Sequence, residues 1–326
     1  LVGIGIYVFG SILCALAPSI ELLVAGRIVE ALGGVAGVVL ARAIIRDVYD
    51  RNQAASALGY VTMVMVVAPM LAPAAGGILE DQVGWRAAFW LMAGIGAALF
   101  ALAFMRLNET NLNERSKPRF GALVGSFAIL LRQPAFIAFT CAMSFASATF
   151  FTFLGAAPYV AINLMGNTPT EYGFAFVSIS IAFMSGNFTS ARLAQRLGTM
   201  PLILTGSLLC MVGVLVMAWF IFFGPLSTVT LFGSMMIITY ANGTLMPAAI
   251  ASAVSVRPDL AGAASGLAGS AQFGVAGIAT YVVALLADGT AEPMIWQIGV
   301  FSVLSIAATF WARAISNRQA GAASPP

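Results

Sequence analysis

Two oppositely charged side chains lie close together inside an apolar segment of the sequence. Arg27 and Glu30 occur in GRIVEALGGVAGVVL, residues 26–40, where their neighbours are apolar or small. Residues three apart share one face of a helix, so the two side chains can pair. Such a pair can pack helices together, or it can line a path and help to bind a proton or a polar substrate group. The sequence leaves both interpretations open, because a desolvated carboxylate holds a proton more tightly and a nearby arginine opposes this.

The composition limits the class of protein. Of 326 residues, 60% are hydrophobic and 8% are charged, and the mean hydropathy is +0.97, whereas soluble domains carry about 25% charged residues. There is no histidine, and Cys14, Cys141 and Cys210 are far apart. We therefore expect an integral membrane protein in contact with the lipid bilayer, with no metal, cofactor or nucleic-acid partner.

Ten apolar runs are long enough for membrane-spanning helices, and none shows the alternation of a membrane β-strand. They cover residues 1–16, 22–45, 54–79, 86–106, 135–160, 172–194, 200–223, 227–250, 261–287 and 293–315. The sequence thus predicts an all-α integral membrane fold with ten transmembrane helices. The chain opens with Leu1 inside an apolar run without a charged leader, so we expect it to begin inside a longer protein.

The basic residues predict the orientation in the membrane. Thirteen of the 15 Lys and Arg residues fall in or beside alternate loops on one side. Arg86 alone lies on the opposite side, and Arg27 lies within a run. Because cytoplasmic loops are rich in Lys and Arg, the sequence predicts a multi-pass protein of the inner (cytoplasmic) membrane with a cytoplasmic C-terminus.

The sequence also suggests a division into two halves. The longest polar segment separates the fourth run from the fifth, and AASALG at 54–59 is echoed by AASGLAG at 263–269. This repeat favours two pseudo-repeated bundles that run in parallel through the membrane. The predicted parts are an incomplete N-terminal bundle of four spans at 1–106, a cytoplasmic linker at 107–134, a C-terminal bundle of six spans at 135–316 and a cytoplasmic tail at 317–326.

Small residues and prolines indicate where helices approach closely or bend. Gly33 and Gly37 are spaced as GxxxG, which allows close helix packing. The segment APMLAPAAGGIL, residues 68–79, contains two prolines that disfavour a straight helix and two glycines that permit close contact. These four residues are Pro69, Pro73, Gly76 and Gly77. They suit either a moving seam or a static kink.

A few mid-span side chains could line a substrate cavity. Asn242 and Gln272 are uncharged hydrogen-bonding groups at membrane depth, where hydrogen bonds between helices are the default role and cavity lining is the alternative. Met63, Met143 and Phe150 are flexible or flat apolar groups of the kind that can accommodate varied apolar ligands. We name all five as candidates.

Several of these segments resemble a known transporter family. LLVAGRIVEALGG is similar to the fourth-span motif of the major facilitator superfamily, and APMLAPAAGG resembles its fifth-span antiporter motif, with Ala72 in place of the first glycine. The combination with further segments resembles the Bcr/CflA-type drug-resistance branch. Those segments are ARAIIRDVYDRNQAA at 41–55, GWRAAFW at 84–90 and LNET at 107–110. The likeness runs from the family's third span to its twelfth, so the first two spans would precede this chain.

The resemblance implies proton-coupled efflux of small, mostly apolar or amphipathic molecules by alternating access between two halves of a twelve-span fold. It implies that Arg27 takes part in proton coupling, that Glu30 stands where relatives commonly have Gln, and that Pro73, Gly76 and Gly77 shape the seam. Proton-coupled uptake of a nutrient is the alternative, and a non-transporting membrane sensor is a weaker one. An enzyme is disfavoured, since one carboxylate in the interior of the spans and no histidine make a poor catalytic set. We expect a monomer.

Overall fold

A computed structural model describes residues 1–48, 53, 71–106 and 120–323, and all regular structure in these ranges is helical. The first helices are α1 (Val2–Leu16), α2 (Ile20–Val48), α3 (71–83) and α4 (Arg86–Arg106). The later helices are α5 (Phe120–Leu131), α6 (Pro134–Pro158), α7 (Pro169–Leu197), α8 (Thr199–Phe222), α9 (Thr228–Ser255), α10 (Ala261–Leu285) and α11 (Glu292–Ala323). A π-helical segment, Tyr159–Leu164, continues α6, and a short 3₁₀ turn, Pro258–Leu260, precedes α10.

Seven helical segments within the described ranges are long and apolar enough to cross a membrane. They are Arg86–Met105, Pro134–Leu164, Pro169–Leu197, Thr199–Phe222, Thr228–Ser255, Pro258–Leu285 and Glu292–Arg318. The 15-residue helix α1 is apolar but shorter. The described part of the chain is therefore all-helical, and the apolar runs that it includes form helices whose ends differ by a few residues from the predicted limits.

Two helices lie partly or wholly outside the predicted bundles. Residues 120–131 form the separate helix α5 inside the segment that we predicted as a linker. Helix α11 continues to Ala323, past the predicted end of the bundle at 316. Its last turns contain Arg, Gln and Ala, which favour a helix, and no proline interrupts them. Most of the predicted span 54–79, including the first copy of the repeat, lies outside the described residues.

Local sequence sets several helix ends. Ser227 and Thr230 form a reciprocal capping box at the start of α9. Thr168 and Glu171 bond to each other's backbone N–H at the start of α7, at 3.1 and 2.9 Å. Gly198 separates α7 from α8 with φ of +79°, a conformation that residues with a side chain rarely adopt. These signals fix where the long apolar helices begin and end.

The chain forms two compact units. The first comprises Leu1–Lys117 with Thr168–Phe174, and the second comprises Pro118–Asn167 with Ala175–Pro326. In the first unit α1 packs against α2 and α4. In the second, α6 packs against α9, α10 and α11, while α8 packs against α9 and α11.

The core of the second unit surrounds α6. Phe136 and Met143 of α6, Ile203 of α8 and Leu245 of α9 are at most 1% exposed and belong to one apolar cluster. Small residues, among them Ala138 and Ala249, fill the spaces between these larger side chains. Helix α6 is therefore the central helix on which polar and aromatic groups of the second unit are arranged.

Candidate functional site

The first site is a charged pair held between α1 and α2. Arg27 Nη1 donates a hydrogen bond to Glu30 Oε2 at 2.7 Å, and Ser11 Oγ on α1 donates to Glu30 Oε1 at 2.8 Å. Both carboxylate oxygens thus have a donor, one from the same helix and one from the neighbouring helix. This arrangement compensates the carboxylate for the water that it loses on burial.

The two charged side chains differ in exposure. The Glu30 side chain is 5% exposed, whereas that of Arg27 is 56% exposed. The Arg27 guanidinium carbon also lies 5.7 Å from the centre of the Phe89 ring on α4, within the range of a cation–π contact. The carboxylate is therefore enclosed between helices, while the arginine extends from it to the surface of the unit.

Glycines bring α1 and α2 close enough for the Ser11–Glu30 hydrogen bond. A Cβ added at Gly10 would lie 2.6 Å from Glu30 Cα, and one at Gly33 would lie 2.7 Å from Tyr7 Cα. A Cβ at Gly37 has no neighbour within 4 Å among the described atoms. Of the GxxxG pair, Gly33 therefore lies at the contact with α1, whereas Gly37 meets no described residue.

Ser11 is a site residue that our sequence analysis did not identify. It is fully buried, and its hydroxyl lies close to both Glu30 and the Tyr7 carbonyl, 3.0 Å from the latter. The one signal in the sequence is a Gly–Ser step within the apolar run of α1. That step does not identify Glu30 as the partner, because the contact depends on how α1 and α2 pack.

The motif on α3 contacts the beginning of α7, inside the first unit. A Cβ at Gly77 would lie 2.8 Å from the Pro169 carbonyl carbon, and one at Gly173 would lie 2.8 Å from Ala74 Cα. Pro73 is half-buried and its carbonyl oxygen is next to Gly173. A Cβ at Gly76 meets nothing within 4 Å in the described part of the chain.

The same contact includes a polar group. Asp81 Oδ2 accepts hydrogen bonds from the backbone N–H of Thr170, at 3.0 Å, and from the Thr170 hydroxyl. A carboxylate at the first turn of a helix is favourably placed for the helix dipole. The candidates Pro69 and Met63 lie outside the described residues.

Within the second unit, polar side chains of three helices converge on α6. Asn242 on α9 donates to the Ala146 carbonyl at 3.0 Å and to Thr149 Oγ1 at 3.1 Å. Gln272 on α10 donates to Ser147 Oγ at 3.1 Å. Asn242 is buried and Gln272 is half-buried.

Gln297 on α11 has an equivalent role and was not among our candidates. Its amide donates to Thr152 Oγ1 at 2.9 Å and to the Ala279 carbonyl at 2.6 Å. The amide oxygens of Gln297 and Asn242 are buried with no hydrogen-bond partner among the described atoms. A single glutamine near the start of the last apolar run was the available signal.

The two apolar candidates of the second unit, Met143 and Phe150, differ in solvent exposure. Met143 is 1% exposed and lies in the core, so it faces no open surface of its unit. Phe150 is half-buried and stacks edge-to-face with Phe151 and Phe176, at 5.5 and 6.1 Å between ring centres. Phe273, which is 65% exposed, extends this aromatic group from Phe151.

Among the described residues, no group of three or more His, Cys, Asp or Glu side chains could hold a metal ion. These described residues supply one buried carboxylate in the first unit and polar and aromatic side chains in the second.

Long apolar helices, together with the Glu30 carboxylate enclosed between α1 and α2, define a multi-pass integral membrane protein. The profile of the Major Facilitator Superfamily matches residues 1–281, and the chain belongs to this superfamily. It is a membrane transporter by family and not an enzyme.

Similar proteins include drug-resistance proteins. The bicyclomycin resistance protein homolog of Haemophilus influenzae is 27% identical over 294 residues, which cover 87% of this chain and 72% of that protein. The uncharacterized MFS-type transporter YdgK of Bacillus subtilis is 28% identical, with 90% and 73% covered. The multidrug resistance protein MdtL of Escherichia coli is 29% identical over 189 residues, with 56% and 47% covered. The resemblance to the Bcr/CflA-type drug-resistance branch is confirmed by these relatives.

The fold also matches solved transporters. A bacterial homolog of the human lysosomal transporter Spinster, in an inward-facing and unoccupied conformation, superposes with a TM-score of 0.72. The match covers 95% of this chain and 81% of that one, at 14% sequence identity. At this identity the likeness supports the fold and carries no information about substrate.

Proposed function

We propose that this protein exports small, mostly apolar or amphipathic molecules in exchange for protons, by alternating access. The observation that carries the proposal is the buried Glu30 carboxylate, which accepts hydrogen bonds from Ser11 and Arg27. The relationship to a bicyclomycin resistance protein homolog and to MdtL supports drug-like substrates.

Proton coupling follows from the two partners of Glu30. When Glu30 binds a proton, it loses its charge attraction to Arg27, and one oxygen becomes a donor. The half-exposed Arg27 is then free to bind a different acceptor, such as a substrate group. Because Ser11 lies on α1 and Glu30 on α2, protonation also changes a contact between two helices. A proton bound here can in this way favour one packing of the helices over another.

The contact between α3 and the start of α7 is the proposed seam. Gly77 and Gly173 let backbone approach backbone, with few side chains to rearrange when the contact opens. The hydrogen bonds of Asp81 to Thr170 join the same segments. Gly33, at the tight α1–α2 contact, maintains the packing at the proton site. Gly37 of the GxxxG motif and Pro69, Pro73 and Gly76 of the APMLAPAAGGIL motif remain our candidates for residues that take part in the conformational change.

The proposed substrate contacts are on the second unit. Phe150 and the exposed Phe273 supply flat apolar surface. Gln272, adjacent to Phe273 on α10 and hydrogen-bonded to Ser147 of α6, supplies a polar anchor. Asn242 sets the position of α6 behind these groups. Few polar groups and several aromatic rings suit ligands that vary in shape.

We further propose ten spans in two bundles, of four and six helices, in the inner membrane of a bacterial cell. The cytoplasmic side carries most of the arginines and lysines and the C-terminus. We expect a monomer, with a small molecule and protons as ligands.

The test is drug resistance and drug accumulation in cells that express the gene encoding this chain, with and without a proton uncoupler. Expression should lower drug accumulation, and the uncoupler should abolish the effect. Glu30→Gln should remove the dependence of export on external pH, whereas Glu21→Gln, an exposed carboxylate on the same helix, should leave it intact. Export that resists the uncoupler would reject proton coupling. Export that keeps its pH dependence in Glu30→Gln would reject Glu30 as the coupling residue and leave the charged pair a packing role.

A further inference from the structure

We propose that the second unit binds an anionic phospholipid in a groove between α7, α8 and α9. The groove has a volume of about 280 Å³ and opens on the surface of the unit. Its walls include Leu193 and Leu197 of α7, Leu202 and Leu209 of α8, and Tyr240 of α9. The inference uses the proposed orientation, in which the turn at Gly198 is cytoplasmic, and does not depend on efflux.

The length of the groove along the helices is close to the thickness of the hydrocarbon layer of one lipid leaflet. Its lining residues extend from 189 to 197 on α7 and from 201 to 209 on α8. Eight residues of helix advance about 12 Å. One leaflet of the hydrocarbon core is about 15 Å thick. A groove of this length, starting at the turn between the two helices, matches part of an acyl chain entering from the cytoplasmic surface.

The inside of the groove is effectively apolar, although Thr and Tyr hydroxyls line it. Thr189 Oγ1 bonds to the Ser185 carbonyl and to the Tyr240 hydroxyl, at 2.9 and 3.0 Å. Thr205 Oγ1 bonds to the Pro201 carbonyl at 2.8 Å. Thr244, the remaining hydroxyl, bonds to the Tyr240 carbonyl at 3.1 Å. Because these groups bond inside the protein, methylenes can fill the groove without leaving a polar group unpaired.

The cytoplasmic end of the groove is basic. Arg192 and Arg196 are exposed and each precedes a lining leucine, Leu193 or Leu197, by one position, so they lie on the adjoining face of α7. Within the described ranges neither guanidinium has an acidic partner. The Arg192 guanidinium carbon lies over the exposed Phe188 ring, 4.8 Å from its centre.

These two features together select the ligand. An apolar groove beside two guanidinium groups that have no acidic partner in the described part of the chain fits a molecule with a hydrocarbon chain and an anionic head. Arginine binds phosphate oxygens well because its donors form a planar fork. An apolar cation, such as many drugs, would enter against two positive charges, so a phospholipid with a net negative head is favoured.

Native mass spectrometry of the purified protein tests the inference, with dioleoyl phosphatidylglycerol and dioleoyl phosphatidylethanolamine as probes. We expect preferential retention of phosphatidylglycerol. Arg192→Gln and Arg196→Gln should each lower that retention about fivefold, which corresponds to the typical contribution of one basic residue at an anionic surface. Thr205→Trp places an indole in the groove from an exposed position and should lower retention of the lipid further.

Two matched variants serve as controls. Leu215→Trp adds the same ring at a position on α8 that is 61% exposed and outside the groove. Arg313→Gln removes an exposed arginine from α11. Both should retain lipid as the unmodified protein does. Equal retention of the two lipids, or equal loss in test and control variants, overturns the proposal. Because the assay measures no transport, its failure is separate from a failure of proton-coupled export.

Discussion

Ser11 on α1 donates its hydroxyl hydrogen bond to Glu30 on α2, at 2.8 Å, and this contact joins the proton-binding candidate to a second helix. Arg27 donates a hydrogen bond to the other carboxylate oxygen of Glu30, at 2.7 Å. Glu30 therefore links its own helix to α1, and we expect a change in its charge to affect the packing of the two helices.

The charged pair should respond unequally to removal of its two members. Arg27→Ala leaves a carboxylate that is 5% exposed without its cation, and uncompensated buried charges cost about 3–5 kcal/mol. Glu30→Gln leaves an arginine that is 56% exposed and can reach other polar groups, so we expect about 1 kcal/mol or less. Thermal unfolding in detergent measures both changes.

The double variant completes this comparison. Removing Glu30 in the Arg27→Ala background should recover most of the lost stability, since no buried charge remains. Additive losses, or a greater loss for Glu30→Gln than for Arg27→Ala, would contradict the role of the arginine as the compensating charge.

The two glycines of the GxxxG pair should behave differently. A Cβ at Gly33 would lie 2.7 Å from Tyr7 Cα, so Gly33→Ala should separate α1 from α2 and cost about 1–3 kcal/mol. Gly37→Ala meets no described atom within 4 Å and should be neutral or stabilise the helix by up to about 1 kcal/mol. Thermal unfolding of the two variants checks this, and equal effects would contradict the α1–α2 packing.

The same contrast applies on α3. Gly77→Ala places a methyl group 2.8 Å from the Pro169 carbonyl carbon, whereas Gly76→Ala meets no described atom within 4 Å. We expect Gly77→Ala to lower stability by about 1–3 kcal/mol and to reduce drug export, and Gly76→Ala to change neither strongly. Unfolding curves and accumulation assays on both variants measure this. A harmless Gly77→Ala would exclude the close contact as part of the seam.

Asn242 should stabilise the second unit more than Gln272 does. Asn242 is buried and donates two hydrogen bonds to α6, while Gln272 is half-buried and donates one. Hydrogen bonds between membrane helices contribute about 0.6 kcal/mol on average and up to about 1.7. We expect Asn242→Ala to cost about 1–2 kcal/mol and Gln272→Ala about 0.5 kcal/mol. If Gln272→Ala lowers drug export without changing the unfolding curve, the side chain of Gln272 contacts the transported ligand.

Cysteine labelling checks the orientation of the helices. A cysteine at Arg132, before α6, should react with an impermeant maleimide only after cells are opened, and one at Thr290, before α11, should react from outside. Both positions are exposed, whereas the native Cys14 and Cys210 are buried and Cys141 is half-buried, so the unmodified protein supplies the background. Labelling of the Arg132 position from outside would reverse the proposed topology.

The sequence by itself determined the class of protein and most of its helices. A chain with 60% hydrophobic residues cannot cover itself with a hydrated surface, and runs of about 20 apolar residues leave helices as the favoured way to pair backbone groups in lipid. The ends of α4 and the starts of α6 and α10 fall within one residue of the predicted limits. The spacing of Arg27 and Glu30 was sufficient to predict that they could pair, since both belong to one helix.

The tertiary structure decided which residues join that pair and which glycines matter. Ser11 is 19 positions from Glu30 in the chain, and Gln297 is 145 positions from Thr152. Contacts at such separations depend on how helices pack, and an apolar face of a membrane helix can meet either lipid or another helix. For the same reason Met143 and Phe150, alike in sequence context, differ in exposure: α6 turns one toward the core and the other toward the rim of its unit.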